Sequence, residues 1–288
     1  MKKLFGIIIF VFIFALLVSQ KLYAYKVIVT IEPQRYFFSK IAGNLAETVV
    51  LVPSGANLHT FELKPSQIKE VSGANIYFTI GDPVEISLKN KIKTINKDIK
   101  IVDTDKNIKK LPIENHDHDH ERHHEHGNLD PHIWLSPELV KIISQNMLQE
   151  LITCDPKHAD IYKKNFDNFI SEISALNNEI KEILKSVPKD TAFLVFHPSW
   201  GYFAKDYNLI QLSVEYKGRE PSPKKLASII KTSKQKEIKT IFVQPQISSR
   251  IAEIIAKEIN ATVTIADPLA FNWHENLKEI AKKIRDSQ

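Results

Sequence analysis

Residues 155–188 read DPKHADIYKKNFDNFISEISALNNEIKEILKSVP. Asp155 is suited to an N-cap and Pro156 to a first helical position, where its missing N–H costs nothing. Tyr162, Phe166, Phe169, Ile173, Leu176, Ile180 and Ile183 then recur at steps of four and three. That spacing lays one apolar stripe along a single helix face. The pattern stops at Val187-Pro188, because proline cannot continue a helix. A helix over 155–187 at 1.5 Å per residue would be roughly 45 Å long, long enough to brace two lobes at once.

Outward from this helix, both flanks alternate in the same way. On its N-terminal side, β-rich runs occur at Lys26–Ile31, Thr48–Val52, Asn75–Ile80 and Lys100–Val102, with helical spacing at Pro65–Val71 and Pro83–Lys93. On its C-terminal side, Ala192–Phe196, Leu209–Val214, Thr240–Val243 and Thr262–Ala266 alternate with Pro223–Ser233 and Ser249–Glu258. Strand and helix in alternation imply mostly parallel sheets flanked by helices. The expected fold is therefore α/β, with two lobes bridged by one long rigid α-helix. Its expected divisions are a leader over 1–24, a lobe over 25–154, the bridging helix over 155–187 and a second lobe over 188–288.

The leader has three parts: basic Met1-Lys2-Lys3, fifteen almost wholly apolar residues from Leu4 to Val18, and a small residue closing Leu22-Tyr23-Ala24. This is the layout of a cleavable secretory signal, and the apolar run is short for a bilayer span of about 20 residues. A periplasmic location follows as an expectation, and no cysteine near the cleavage point suggests a lipid anchor. Loss of 24 residues from 288 leaves 264. It also removes Lys2, Lys3 and Lys21 with no acid, so the formal +5 falls to +2. A nucleic-acid partner thereby loses its electrostatic basis. Cys154 is the single cysteine, so no internal disulfide can form, and its apolar helical surroundings suit a small core residue.

One segment breaks the composition. Residues 114–127 read ENHDHDHERHHEHG, with six of the eleven histidines and no apolar side chain. It cannot contribute to a core and reads as a solvated insertion. His120-Glu121-Arg122-His123-His124 matches the metalloprotease pattern H-E-x-x-H, but that chemistry needs a helix anchored by an apolar face, which these flanks lack.

The remaining histidines are His59, His132, His158, His197 and His274. His197 directly follows the run Phe193–Phe196, His59 follows Thr48–Val52 through a turn, and His132 lies in the turn Leu129-Asp130-Pro131-His132. Asp267 follows Val263–Ala266 in the same manner. In parallel α/β sheets, ligands bind beyond the carboxyl ends of the strands. Any one of these histidines alone reads as a hydrogen-bonded structural residue, and Asp267-Pro268 alone as a turn. Four equivalent placements together aim three imidazoles and a carboxylate at one crevice. Such a set suits tetrahedral zinc, whereas manganese prefers more oxygen. His158 and His274 have no such placement and read as surface or packing residues. Trp134, Trp200 and Phe61, beside the candidate ligands, read as a dry wall around them.

The stretches NLHTFELKPSQ at His59, NLDPHIWLSP at His132, FHPSWGYFAKDYNL at His197, IADPL at Asp267 and GREPSPKKL at 218–226 resemble the zinc and manganese solute-binding proteins of ABC transporters, the ZnuA-type family. The resemblance spans nearly the whole mature chain in order. It implies a metal held between two lobes by residues matching His59, His132, His197 and Asp267. In manganese-type members the third position is usually a carboxylate, so His197 favours zinc. Leu58 stands where some zinc-specific relatives carry Glu, and Val243-Gln244-Pro245-Gln246 lacks an acid that many members place before the proline.

The resulting expectation is a monomeric periplasmic receptor with no enzymatic activity. It would capture Zn2+ as cargo for a membrane permease and its ATPase, since the chain has no phosphate-binding G-x-x-x-x-G-K-[ST] loop of its own. His116, His118, His120, His123, His124 and His126 are candidate accessory zinc ligands. The competing readings are a manganese receptor of the same family, a secreted zinc hydrolase with Asp267 as base, and a metal-dependent adhesin or zinc buffer.

Overall fold

The structure is a computed structural model that describes residues 25–113, 129–215, 219–246 and 250–288. The expected leader and the histidine-rich insertion lie outside these residues. The chain begins with β1 (Tyr25–Val29), α1 (Glu32–Ala42), β2 (Ala46–Val50), α2 (Pro65–Ser72), β3 (Ile76–Thr79), α3 (Val84–Ile95) and β4 (Lys100–Asp103). Two helices follow, α4 (Pro137–Cys154) and α5 (Ala159–Ile183). The second lobe contains β5 (Thr191–Val195), α6 (Gly201–Asp206), β6 (Leu209–Ser213), α7 (Pro223–Gln235), β7 (Thr240–Val243), α8 (Arg250–Ile259), β8 (Thr262–Ile265) and α9 (Trp273–Asp286). Among the described residues no helix is long and apolar enough to cross a membrane.

Each lobe is built on a four-stranded sheet whose pairings are all parallel, in the orders β2-β1-β3-β4 and β6-β5-β7-β8. The two-lobed α/β architecture expected from the alternation is the one observed. In both sheets the strand order reverses between the first and third strands, which opens a crevice beyond their carboxyl ends.

The bridging helix is shorter than expected. Asp155 does not cap the helix backbone; its carboxylate instead accepts from His158 Nδ1 at 2.6 Å and from the Tyr162 hydroxyl at 2.7 Å. Pro156–His158 form a 3-10 turn before α5 starts at Ala159. After Ile183 the turn tightens, with Lys185 N–H reaching Glu182 O and Val187 N–H reaching Leu184 O. The residue before a proline is driven out of the α region, so the helix unwinds ahead of Pro188. The helix α4 was not expected, although Ser136 caps it by accepting Leu139 N–H and Pro137 opens it. The short helix α6 and the terminal helices α1 and α9 are likewise additions by the structure.

The stripe on α5 packs against α1, α4 and α9, so this helix touches the framework of both lobes. The main core is continuous from β1 and β3, through Phe169 and Ile173, to Phe193, Val195 and Trp273. On β5 the side chains alternate, and Leu194 and Phe196 instead join a second cluster with Ile229, Ile241 and Ile255. That period of two gives the second sheet one face for the shared core and one for α7 and α8.

The β3–α3 turn, Ile80-Gly81-Asp82, is held rigidly. The buried Glu85 carboxylate accepts N–H groups from Ile80, Gly81 and Asp82 at 2.7–3.1 Å, and also the Thr30 hydroxyl. Burial pushes this carboxyl up to about 7. Lys110 Nζ donates to Gly81 O at 2.7 Å and pairs with Asp105 at 2.8 Å. Gly81 has φ +82°, and a Cβ there would run into the Asp105 carboxylate and the Lys110 ammonium. Gly81→Ala should therefore destabilise the protein by more than about 1 kcal/mol in urea unfolding. An unchanged midpoint would show that the turn tolerates a side chain.

Candidate metal centre

Each candidate ligand is positioned by local chemistry. His59 sits in a 3-10 turn, Leu58–Thr60, whose first N–H groups are met by Asn57 Oδ1 accepting from His59 N at 2.9 Å. Buried Leu58 anchors this turn to the core, so that position supplies packing where a Glu would supply charge. His132 follows Asp130 in a tight turn in which Asp130 Oδ1 accepts His132 N–H at 2.9 Å. His197 continues from β5, and Glu215 continues beside it from β6, with Glu215 N–H donating to Phe196 O at 2.8 Å.

The three imidazoles converge. Their ring centroids are 4.9 Å (His59–His197), 5.3 Å (His132–His197) and 5.8 Å (His59–His132) apart. One ligand nitrogen from each lies within 4.8 Å of the others. The residues arrive from 59, 132 and 197 in sequence, two from the first lobe's side and one from the second. Asp267 is not in this set. Its Oδ1 accepts from Gln246 Nε2 at 3.2 Å and from Leu269 N–H at 3.0 Å. The residue after it is nevertheless tied to the His132 segment: Trp134 Nε1 donates to Pro268 O, and Trp273 Nε1 donates to Trp134 O, each at 2.7 Å.

Carboxylates orient two of the rings. His132 Nδ1 lies 2.7 Å from Asp130 Oδ1, and His197 Nδ1 lies 2.8 Å from Glu215 Oε2. An ionised carboxylate only accepts, so in each neutral ring Nδ1 carries the proton and Nε2 presents the lone pair. Asp130 can approach because residue 201 is glycine; a Cβ there would stand 2.8 Å from Asp130 Oδ2. Tyr202 adds a clamp, donating to Asp130 O at 2.8 Å and accepting Leu111 N–H at 3.0 Å.

His59 is the outer ring. Its side chain keeps 39% of its surface open, but the enclosed remainder makes an imidazolium costly. Burial, to which protonation of the neighbouring His197 and His132 rings would add, pulls its pKa down to about 3. It is thus a neutral donor at any physiological pH. His59 Nε2 and His197 Nε2 are 3.1 Å apart. With Zn–N bonds near 2.0–2.1 Å, the edge of a tetrahedral site is about 3.3 Å. The spacing is that of two ligands sharing one ion.

Sequence reasoning missed three acids here: Asp130, Glu215 and Asp82. Glu215 and Asp82 each follow the end of a strand, the same placement that nominated His197. Asp82 Oδ2 lies 3.6 Å from His59 Nδ1, is buried and has no hydrogen-bond partner. Trp134 and Trp200 are buried, as is Phe61, and the Trp134 ring stands 5.2 Å from that of His132. His158 is occupied by Asp155, and His274 stays on α9 apart from the cluster. Arg219 and Glu220 are both exposed. The six histidines from His116 to His126 lie outside the described residues.

Two α/β lobes joined by a long helix, with converging imidazoles in the crevice between them, define a metal-type solute-binding protein. The chain belongs to the family described as zinc-uptake complex component A, periplasmic, whose model matches residues 27–287. It is similar to the zinc-binding protein AdcA of Streptococcus pyogenes, with 29% identity over 259 residues, 85% of this chain and 50% of AdcA. The chain thus spans about half the length of that relative. It is also similar to a crystal structure of ZnuA, with 40% identity, a TM-score of 0.85, and coverage of 92% of this chain and 99% of that one. A zinc-bound ZnuA deletion mutant matches with 40% identity and a TM-score of 0.84, covering 92% and 98%.

Proposed function

We propose that this protein captures a single Zn2+ ion in the periplasm and delivers it to an ABC-type uptake permease driven by a separate ATPase. The observation that carries this reading is the convergence of three imidazoles, two of them with Nδ1 occupied by carboxylates and Nε2 free for an ion. His59, His132 and His197 supply three nitrogen ligands. Asp267 supplies the fourth, leaving Gln246 as the cleft closes around the ion. The nitrogen-rich set favours zinc over manganese.

A hydrolase would keep one position for water, and the family is one of metal transport rather than catalysis. Both lobes, 25–154 and 188–288, act on the ion together through the stiff helix between them. Residues 1–24 direct export and are removed, and the mature chain acts as a monomer without nucleic acid. His116, His118, His120, His123, His124 and His126 form a weaker accessory store that feeds the cleft.

Metal analysis of the purified mature protein tests this directly. One tightly held zinc is expected to survive removal of Asn115–His126, while additional weakly held zinc disappears. Because free imidazoles protonate near pH 6.5, the weak zinc should be lost first as pH falls. Loss of all tight zinc with the insertion would move the main site out of the cleft and overturn the reading. Unchanged stoichiometry, together with unchanged uptake at low zinc, would remove the accessory role alone.

A further inference from the structure

Two of the three converging histidines have a carboxylate on Nδ1, and the third has a carboxylate waiting. Asp82 stands at the end of β3, on the first lobe's side of the crevice. Its two oxygens differ. Oδ1 accepts Val84 N–H at 2.9 Å and so caps the start of α3. Oδ2 is buried, without a hydrogen-bond partner, and lies 3.6 Å from His59 Nδ1. The Asp82 side chain is fully shielded from bulk solvent.

The turn that carries Asp82 is unusually fixed. Glu85 binds three successive N–H groups there, including that of Asp82 at 3.1 Å, and Lys110 holds Gly81 O at 2.7 Å. A carboxylate oxygen buried without a partner, on a turn so strongly held, is directed at something. His132, His197 and Lys110 also act electrostatically on this carboxylate, but the ring within 4 Å of Oδ2 is that of His59.

The two ring nitrogens of His59 face different partners. His197 Nδ1–H is committed to Glu215, so His197 Nε2 has a lone pair. His59 Nε2 lies 3.1 Å from His197 Nε2, so it is the nitrogen placed to share an ion. His59 Nδ1 is the nitrogen that faces Asp82 Oδ2, at 3.6 Å. An ion bound between the two Nε2 atoms excludes a proton from either. His59 must then carry its N–H on Nδ1, facing Asp82.

From this geometry, and resting on the zinc-capture reading above, we infer that Asp82 is a positioning residue for His59. On metal binding its Oδ2 accepts His59 Nδ1–H and fixes Nε2 toward the ion. The centre then has three matched pairs, His132 with Asp130, His197 with Glu215 and His59 with Asp82. Asp82 does not itself belong to the set of ligand atoms within 4.8 Å, which separates orienting from ligation. Since His59 is the most exposed of the three rings, its partner controls how firmly the outermost ligand is held.

The variant Asp82→Asn isolates the role, because an amide oxygen can keep the bond to Val84 N–H. The amide NH2 that replaces Oδ2 cannot accept from His59 Nδ1–H. Zinc affinity of the full mature protein, measured by chelator competition, is expected to fall by about 10–100-fold. Imidazole nitrogen NMR of the zinc complexes is expected to show a protonated His59 Nδ1 in the parent and a displaced or lost Nδ1–H signal in Asp82→Asn. Affinity within twofold of the parent overturns the role. So does a loss of affinity with the His59 signal unchanged, which would mark Asp82 as a ligand or as a purely structural cap. A parent protein that binds no zinc overturns the functional reading and this inference together, whereas tight parent binding shared by Asp82→Asn overturns only the role of Asp82.

Discussion

His197→Ala is expected to abolish tight zinc binding while the protein remains folded. Four protein ligands together are worth about 10–16 kcal/mol in a structural zinc site, or roughly 3 kcal/mol each, so losing one costs on the order of 100-fold. The real loss should exceed this, because His197 also occupies Glu215, whose side chain is only 13% exposed. Without the ring, that carboxylate sits in the crevice with no N–H to accept. The fold should survive because His197 lies beyond the end of β5, outside the core that β5 builds with Phe193 and Val195. Chelator competition checks the affinity and a thermal melt checks the fold. An affinity within tenfold of the parent would mean that the ion sits elsewhere.

Trp273→Ala carries the largest expected effect on stability, about 3–5 kcal/mol. Trp273 is 1% exposed and meets Phe37 edge-on at 5.1 Å between ring centroids. It also donates to Trp134 O at 2.7 Å, two residues beyond His132. A helix that closes the second lobe thus seals the core of the first. Urea unfolding of the parent should be a single transition, and the variant should shift it as a whole. Two transitions, with only one displaced, would show that the lobes fold independently. Because Trp134 also fixes Pro268, weaker zinc binding should accompany the shift.

Much of the architecture was legible because it rests on local periodicity. The stripe from Tyr162 to Ile183 predicts a helix whatever it packs against. The helix α4 was equally periodic, with Val140, Ile143, Met147 and Leu151 buried along one side, and Ser136-Pro137 marked its start. Its start is masked because the 3-10 turn Ile133–Leu135, itself wholly apolar, runs up to it from His132. The ends of α5 were harder. Asp155 is an ordinary N-cap by type, but burial beside Tyr162 and His158 gave its carboxylate better donors than the helix backbone.

The site divides in the same way. His59, His132 and His197 stood out because each follows a strand or turn at the end of a sheet where ligands gather, and the structure brings these three together. Asp267 was nominated by the same rule, yet Gln246 and Leu269 N–H hold it outside the cluster in this structure. No local pattern distinguishes an aspartate that faces a crevice from one that closes its own turn.

The sequence alone therefore determined the alternation of strands and helices and the bridging helix, which depend on neighbours a few residues apart, and it nominated the histidines that the structure brings together. Only the tertiary structure decided that the core runs through both lobes, that Asp130 and Glu215 orient two rings, and that Asp82 waits beside the third. His59 and His197 are 138 positions apart along the chain. Their separation in space is set by how two sheets pack on one helix, and that packing is a property of the whole core.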